Sequence, residues 1–337
     1  MQKLKKQSME FFQTRTDLAI ESREILQGSQ DSEDIQGVKV SVEKIEDLEL
    51  EITKVEILDN QGAEAMNKAI GNYITIESPL LTDNDMDDHE EFIKIIAREL
   101  MALEALKNKN LVLVVGLGNW DVTPDALGPK VISGLLVTRH LIEFMPDQID
   151  ESVRAVSAIS PGVLGITGIE TGEIIQGIVE KIKPDVVIAI DALAARKASR
   201  LNTTIQISDT GVHPGSGVGN KRMGLTEETL GVPVLAVGVP TVIDAATLVN
   251  DTMDQFLDAM RTQSEKSGPF YEMLQNVNKE EKYQLIRELL DPYVGNLFVT
   301  PKDIDATIDR LADMVAESLN LALHPGLDTK DIGRYIQ

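Results

Sequence analysis

Hydrophobic and polar residues alternate in two different ways along the chain, and the pattern changes near residue 111. Before that point, stretches at 38–42, 48–58 and 72–77 alternate apolar and polar positions, which predicts half-buried strands that pair into a small antiparallel sheet open to water on one side. After it, short apolar runs alternate with segments of helical period. The later strands are predicted at 111–116, 153–159, 186–190, 203–207 and 232–238, and the helices at 125–144, 170–182, 192–200 and 244–260. This alternation predicts an α/β fold with a mainly parallel, doubly wound sheet and flanking helices.

Helical patterns also occur towards both ends of the chain. A period of 3.6 residues predicts helices at 18–26, 283–290 and 304–323. An acidic loop at 83–91 is predicted to lead into a further helix that ends near residue 106. We therefore expect a single α/β domain with three parts. These are an N-terminal subregion that holds the small sheet (18–110), an α/β core (111–262) and a helical tail (263–337).

The composition narrows the chemistry that the chain can perform. Its 337 residues include 55 acidic and 32 basic ones, and the net charge of −23 argues against a broad nucleic-acid interface. The absence of cysteine excludes a thiol nucleophile and a Cys-based zinc site, and four widely separated histidines argue against a multi-His metal centre. We find no secretory signal and no apolar run of about 20 residues that could span a membrane, so we expect a soluble, intracellular protein.

Two aspartates follow the predicted strands of the core, and both are candidates for acid–base chemistry. Asp125 lies in the loop after the strand 111–116, and Asp191 comes directly after the strand 186–190. Ligands of open α/β sheets bind beyond the carboxyl ends of the strands, where these side chains are expected to meet. If they are close, repulsion raises one pKa and lets the pair share a proton, so that one carboxylate deprotonates water while the other polarises a carbonyl. The alternative is that each aspartate caps the helix that follows it.

A glycine-rich segment at 207–222 supplies further candidates for a substrate groove. Asp209 begins an Asp-Thr-Gly tripeptide, which is only weak evidence for an aspartic protease, and His213 is either a base or a structural residue of a turn. Lys221 and Arg222 either bind an acidic group of a substrate or are solvated charges. The glycines favour a mobile loop over a phosphate site. Elsewhere Gly116-x-Gly118 lacks the third glycine of the dinucleotide fingerprint, which argues against an NAD site, and we expect no cofactor.

Several long blocks of the sequence, in order, resemble the germination proteases of endospore-forming bacteria. They include TRTDLAIE at 14–21, GLGN at 116–119 and TPDALGP at 123–129, and the resemblance covers nearly the whole chain. The remaining blocks are VTRH at 137–140, SAISPG at 157–162, GITGIET at 165–171, IAIDALAAR at 188–196, the segment 205–222 and GVPTV at 238–242. The C-terminal tail is the least distinctive part.

The resemblance implies an endopeptidase that starts the degradation of small acid-soluble spore proteins when the spore germinates. It further implies a homotetramer in the cytoplasm of the forespore and the spore core, made as a zymogen that removes its own N-terminal propeptide. The implied fold is related to that of the hydrogenase maturation endopeptidases. The family's proposed catalytic aspartates carry over onto Asp125 and Asp191, the two residues already singled out; Asp209 matches a block without an assigned role.

The resemblance also gives the N-terminal block a function. Cleavage sites in spore proteins resemble Thr-Glu followed by an apolar residue and alanine, and residues 16–19 mimic that pattern. We therefore predict self-cleavage between Asp17 and Leu18, which makes residues 1–17 the propeptide, although Asp17 is also suited to cap the helix at 18–26. Two alternatives to a metal-free endopeptidase are a metal-dependent one that uses the same carboxylates and a non-enzymatic phosphate-binding α/β module.

Overall fold

The apolar runs that follow residue 111 form the middle of one mixed β-sheet in the computed structural model, which describes residues 17–27, 35–83, 85–107, 110–145, 147, 149–150, 152–215, 222–263, 279–294 and 297–327. In chain order the strands are β1 (Val38–Ile45), β2 (Leu50–Ile57), β3 (Gly71–Glu77), β4 (Leu111–Gly116), β5 (Ala155–Ile159), β6 (Val186–Ala195), β7 (Thr204–Ser208), β8 (Val234–Asp244) and β9 (Phe298–Val299). They lie side by side in the order β1-β2-β3-β7-β8-β6-β4-β5, and β9 also pairs with β8.

Helices cover both faces of this sheet. Those of the described chain are α1 (Ala19–Gln27), α2 (Asn60–Met66), α3 (Met86–Ala102), α4 (Leu127–Ser133), α5 (Arg139–Phe144), α6 (Leu164–Thr167), α7 (Thr171–Ile182), α8 (Glu227–Leu230), α9 (Ala245–Gln263), α10 (Lys279–Val294) and α11 (Ile304–Leu323). None of the helices in the described ranges is both long and apolar enough to cross a membrane.

The predicted α/β fold class is confirmed, and strand direction divides the sheet into two parts. β5, β4, β6 and β8 run parallel to one another, whereas β7 pairs antiparallel with the other edge of β8. β1, β2 and β3 pair antiparallel as predicted, but β3 also pairs with β7, so they extend the main sheet instead of forming a separate one. The prediction that one face of these strands is open to water is wrong for β2 and β3, because both faces are covered.

Alternate residues of the central strands enter two separate cores. Val112 and Val114 face the core built with α3, α4 and α11, while Leu113 and Val115 face the core built with α7. A strand buried on both faces has no polar positions, which explains the uninterrupted apolar run at 111–116. The long helix α11 contributes a row of buried, mostly apolar side chains to the first core.

Two predicted helices are wrong. The segment 125–144 forms two short helices, α4 and α5, because the chain breaks at Gly134, where the Asn320 side chain donates to the Gly134 carbonyl (3.0 Å) and accepts from the Leu136 N–H (2.9 Å). The segment 192–200 continues β6 as far as Ala195 and then makes only a short 3₁₀ turn. Its pairing with β8 provides hydrogen bonds that outweigh the helix preference of its alanines.

The predicted C-terminal helices are confirmed as α10 and α11, and the helix at 244–260 as α9. The predicted propeptide up to Thr16 and residues 264–278 of the tail lie outside the described residues.

Candidate active site

Asp125 lies in a tight turn that follows the carboxyl end of β4. The residues Thr123–Asp125 form a 3₁₀ turn, and the Asn119 N–H donates to the Asp125 carbonyl oxygen at 3.0 Å. From β8, the Thr241 hydroxyl donates to the Pro124 carbonyl at 2.7 Å and fixes the turn to the sheet. The alternative role of Asp125 as a helix cap is not observed, because α4 begins after Ala126 without a side-chain cap.

Glycine makes the close approach of this turn to the strand possible. Gly118 adopts a φ of 114°, and a Cβ at this position would lie 1.9 Å from the Asp125 carbonyl oxygen. Gly116 and Gly128 also pack backbone against backbone, since a Cβ on Gly116 would lie 2.3 Å from the Gly128 carbonyl oxygen. The glycines of the GLGN and TPDALGP blocks therefore set the position of Asp125.

Asp191 lies inside β6, one residue beyond the last pairing of β6 with β4, which joins Ile190 to Gly116. Its side chain is only 8% exposed, and one carboxyl oxygen accepts the Ala192 N–H at 3.0 Å. Because the strand continues to Ala195, Asp191 is not the N-cap of a helix, and that alternative is wrong. The shorter strand β4 leaves Asp191 at the crevice where open α/β sheets bind their ligands.

The two carboxyl groups interact electrostatically and are both shifted towards the protonated form. Burial raises the pKa of Asp125 to about 6, against the opposing effects of the Asn119 N–H and the charge of Arg222. Burial also raises the pKa of Asp191 well above its ordinary value, and the charges of Asp125 and Asp17 raise it further. The Ala192 N–H and Arg222 oppose this rise. Burial and the repulsion between like charges therefore favour a pair of carboxyl groups that holds a proton.

Asp17 and Leu18, the residues of the predicted cleavage site, are docked along β6 beside Asp191. The Asp17 N–H donates to the Ala194 carbonyl (3.2 Å), and the Ala194 N–H donates to the Asp17 carboxylate (3.0 Å). Leu18 and Ala19 are fully buried, and Leu18 packs with Ile20 against Leu193. The predicted scissile peptide is therefore held against the strand that carries Asp191.

Two residues that the sequence analysis did not single out contact this peptide. The carbonyl oxygen of Asp17 accepts a hydrogen bond from the Lys68 Nζ at 2.8 Å and another from the Gln206 Nε2 at 3.2 Å. Gln206 gave one signal in the sequence, because it is a polar residue between two apolar ones in a predicted strand. Lys68 gave none, because it lies in a turn outside every recognised block.

Helix α1, which continues from the cleavage site, is anchored by a buried ionic network. Glu21 is fully buried, and its carboxylate accepts the backbone N–H groups of Arg196 (2.7 Å) and Lys197 (2.9 Å). The Arg200 guanidinium lies 3.4 Å from Glu21 and also pairs with Glu24 at 2.8 Å. These contacts tie α1 to the end of β6 and fix the residues that follow the predicted scissile bond.

The four predicted groove residues have different surroundings. Arg222 acts electrostatically on both Asp125 and Asp191, whereas Lys221 lies outside the described residues. The Asp209 carboxylate accepts the backbone and side-chain N–H groups of Asn72 at 2.7 and 2.6 Å, so it fastens the end of β7 to β3. The ring of His213 packs over Gly224, where a Cβ would lie 2.7 Å from the ring. The contacts of Asp209 and His213 are thus those of structural residues.

The described residues contain no group of three or more His, Cys, Asp or Glu side chains arranged to hold a metal ion. The carboxyl groups of Asp125 and Asp191 are the chemically distinctive pair in this crevice. Such a pair can activate a water molecule and protonate the group that the water attacks.

Comparisons with known proteins find relatives along nearly the whole chain. A family model described as germination protease matches residues 16–270 and 258–336. A germination protease of Caldanaerobacter subterraneus is 52% identical over 96% of this chain and 98% of its own, and one of Clostridium perfringens is 53% identical over 96% and 99%. One of Bacillus cereus is 45% identical over 96% and 97%. Among solved structures, a NiFe hydrogenase maturation protease, HycI, of Thermococcus kodakarensis matches 64% of this chain and 96% of its own with 17% identity and a TM-score of 0.29.

Proposed function

From the premise that the chain belongs to the germination protease family, we propose that it is the endopeptidase that begins to degrade small acid-soluble spore proteins during germination, with Asp125 and Asp191 as its catalytic pair. Membership of the family makes the chain a protease of spore germination; the substrate, the mechanism and the processing are our proposal. The observation that carries it is the placement of Asp125, in the turn after β4, and of Asp191, in β6, at the carboxyl ends of neighbouring strands, where the charge of Asp125 acts on Asp191.

The pKa shifts of Asp125 and Asp191 give the two residues different roles in the proposed reaction. Asp125, with a pKa raised to about 6, is mostly ionised at neutral pH and can take a proton from water. The raised pKa of Asp191 favours its protonated form, which can donate a hydrogen bond to the carbonyl oxygen of the scissile peptide and polarise it. The water oxygen adds to the carbonyl carbon, the C–N bond then breaks, and the leaving nitrogen takes the proton that Asp125 accepted. Water and one amide thus give one carboxyl group and one amine.

We further propose that the chain is made as a zymogen and cuts itself between Asp17 and Leu18, releasing residues 1–17 as a propeptide. The docking of this peptide along β6 supports the proposal, because the bond after Asp17 lies beside the strand of Asp191. The Ala194 N–H that binds the Asp17 carboxylate also offers a reason why an acidic residue should precede the cleaved bond.

The proposal also covers the oligomeric state of the enzyme and its location in the cell. We propose that it acts as a homotetramer in the cytoplasm of the forespore and the spore core, where its spore-protein substrates are found. Light scattering after size exclusion should give four times the chain mass of 37.0 kDa, and a mass of one or two chains would contradict the tetramer.

Single substitutions of the two aspartates test the catalytic assignment. Asp125→Asn and Asp191→Asn should each abolish cleavage of a purified spore protein and of a Thr-Glu-Phe-Ala peptide while the circular dichroism spectrum stays unchanged. Asp209→Asn is the matched control, because Asp209 contacts Asn72 on the antiparallel strands and should leave cleavage nearly intact. Undiminished activity of either catalytic variant would overturn the assignment.

A further inference from the structure

When a nucleophile attacks the proposed scissile bond, negative charge develops on the carbonyl oxygen of Asp17. Two side chains donate hydrogen bonds to this oxygen. We propose that Lys68 and Gln206 are catalytic residues of self-cleavage that bind this carbonyl and stabilise the negative charge that develops on its oxygen. The inference rests on the proposed function, since it assumes that the bond after Asp17 is the one cut. Both donors lie within hydrogen-bond distance of the oxygen, at 2.8 Å for Lys68 and 3.2 Å for Gln206.

Gln206 is oriented by the peptide that it binds. It is buried in β7, and its Oε1 accepts the Ala19 N–H at 2.7 Å. That bond identifies the oxygen end of the amide, so the Nε2 end must face the Asp17 carbonyl. One side chain therefore holds the backbone on both sides of Leu18 and keeps its donor on the oxygen. Donors fixed in advance in this way contribute most to an oxyanion site.

Lys68 is the one of these two donors that can carry a positive charge. It follows α2 after Asn67, which has the left-handed φ of 49°, and its own N–H is bound by the Ala63 carbonyl at 3.2 Å. Burial lowers the pKa of Lys68, while the charges of Asp17 and Glu21 act in the opposite direction. The Nζ group is largely removed from water and donates to the carbonyl oxygen at 2.8 Å, and a negative charge that forms on this oxygen favours the protonated, charged form of Lys68.

The reaction can be written with these groups in place. Water loses a proton to Asp125 and adds to the Asp17 carbonyl carbon, and the electron pair of the C=O bond moves to the oxygen that Lys68 and Gln206 bind. The pair returns as the C–N bond to Leu18 breaks, and the Leu18 nitrogen takes up the transferred proton. Lys68 and Gln206 neither gain nor lose a proton overall. Their effect is confined to the charged intermediate and the transition states beside it.

The test measures self-cleavage of the full-length precursor, timed from refolding out of urea and followed by the intact mass of the product that begins at Leu18. Lys68→Met should lower the first-order rate constant by about 100-fold or more, the usual loss for one oxyanion donor. Lys68→Arg, which keeps a charged donor, should restore most of the rate. Lys44→Met is the matched control, since Lys44 is an exposed lysine that pairs with Glu51.

A second measurement separates catalysis from docking. In the Asp125→Asn background, where no cleavage is expected, hydrogen exchange of residues 17–21 is compared with and without Lys68→Met. Equal protection together with a slower reaction in the cleavable chain supports the inference. A wild-type rate for Lys68→Met, or loss of protection that parallels the loss of rate, overturns it.

The outcomes also distinguish this inference from the function on which it rests. If the wild type cleaves after Asp17, Asp125→Asn does not, and Lys68→Met cleaves normally, only the inference fails. If Asp125→Asn cleaves at the wild-type rate, the proposed catalytic pair fails. A wild-type chain that never releases a fragment ending at Asp17 overturns the proposed self-processing and this inference together.

Discussion

Replacing Asp125 by asparagine should stabilise the protein at neutral pH while it abolishes activity. Burial raises the pKa of Asp125 from 3.8 to about 6, which means that the folded protein disfavours the ionised carboxylate. An asparagine is neutral at every pH and nearly the same size. The substitution therefore removes an unfavourable charge together with the proposed base.

The pKa shift sets both the size and the pH range of the effect. Below pH 3.8 the carboxyl is protonated in both states and contributes no penalty, whereas between 3.8 and about 6 the folded state binds a proton that the unfolded state has lost. Stability of the wild type thus falls as the pH rises through this window, by about 1.4 kcal/mol per unit and by roughly 3 kcal/mol in all. Above pH 6 the full difference between Asp125→Asn and the wild type should be present.

Urea unfolding at pH 4 and at pH 8 measures this difference. Both proteins are produced with Leu18 as the first residue after the initiator methionine, so that processing alters neither sample, and Asp17 is not among the causes of the Asp125 shift. Asp150→Asn is the control with the opposite sign, because the Ser152 hydroxyl lowers the pKa of Asp150. A difference for Asp125→Asn that stays constant from pH 4 to pH 8, or a less stable variant at pH 8, would refute the reasoning.

The remaining predictions concern the turn that carries Asp125, the contacts of Glu21 that anchor α1, and the dependence of activity on metal. Gly118→Ala should abolish peptide cleavage, because its Cβ would lie 1.9 Å from the Asp125 carbonyl oxygen, while Gly165→Ala, which has open space, should be tolerated; equal activities would contradict this. Glu21→Gln should weaken charge-assisted bonds to the backbone at 196–197, worth about 1.5–3 kcal/mol each, so exchange protection of α1 should fall at least about tenfold. Activity should survive exhaustive chelation, and loss of activity that added metal restores would favour the metal-dependent alternative.

The central strands could be predicted from the sequence because burial leaves a direct pattern in it. The run at 111–116 is apolar at every position, and both faces of β4 are covered. The prediction of a helix from residue 192 failed because alanine favours a helix when only local preference is considered. Its pairing with β8 is a contact between distant parts of the chain, and no local pattern encodes it.

The residues of the candidate site also include some that local sequence signals could predict and some that they could not. Asp191 could be found because it is the first carboxylate after a charge-free run, and Asp125 because it lies in the loop that follows another such run; both are local signals. Lys68, in the turn after α2, and Gln206, in β7, are far apart in the sequence and meet at one carbonyl because β3 pairs with β7. Such a meeting depends on the order of strands in the sheet, which the alternating pattern did not determine.

An acidic residue before the cleaved bond has a chemical as well as a recognition role in the proposed reaction. The charge of Asp17 adds to burial and to Asp125 in raising the pKa of Asp191, so a bound acidic residue helps to keep the proposed acid protonated. A spore protein with glutamate at this position would restore that effect after residue 17 has left. Cleavage then creates a new carboxylate among these like charges, and repulsion between them favours release of the product.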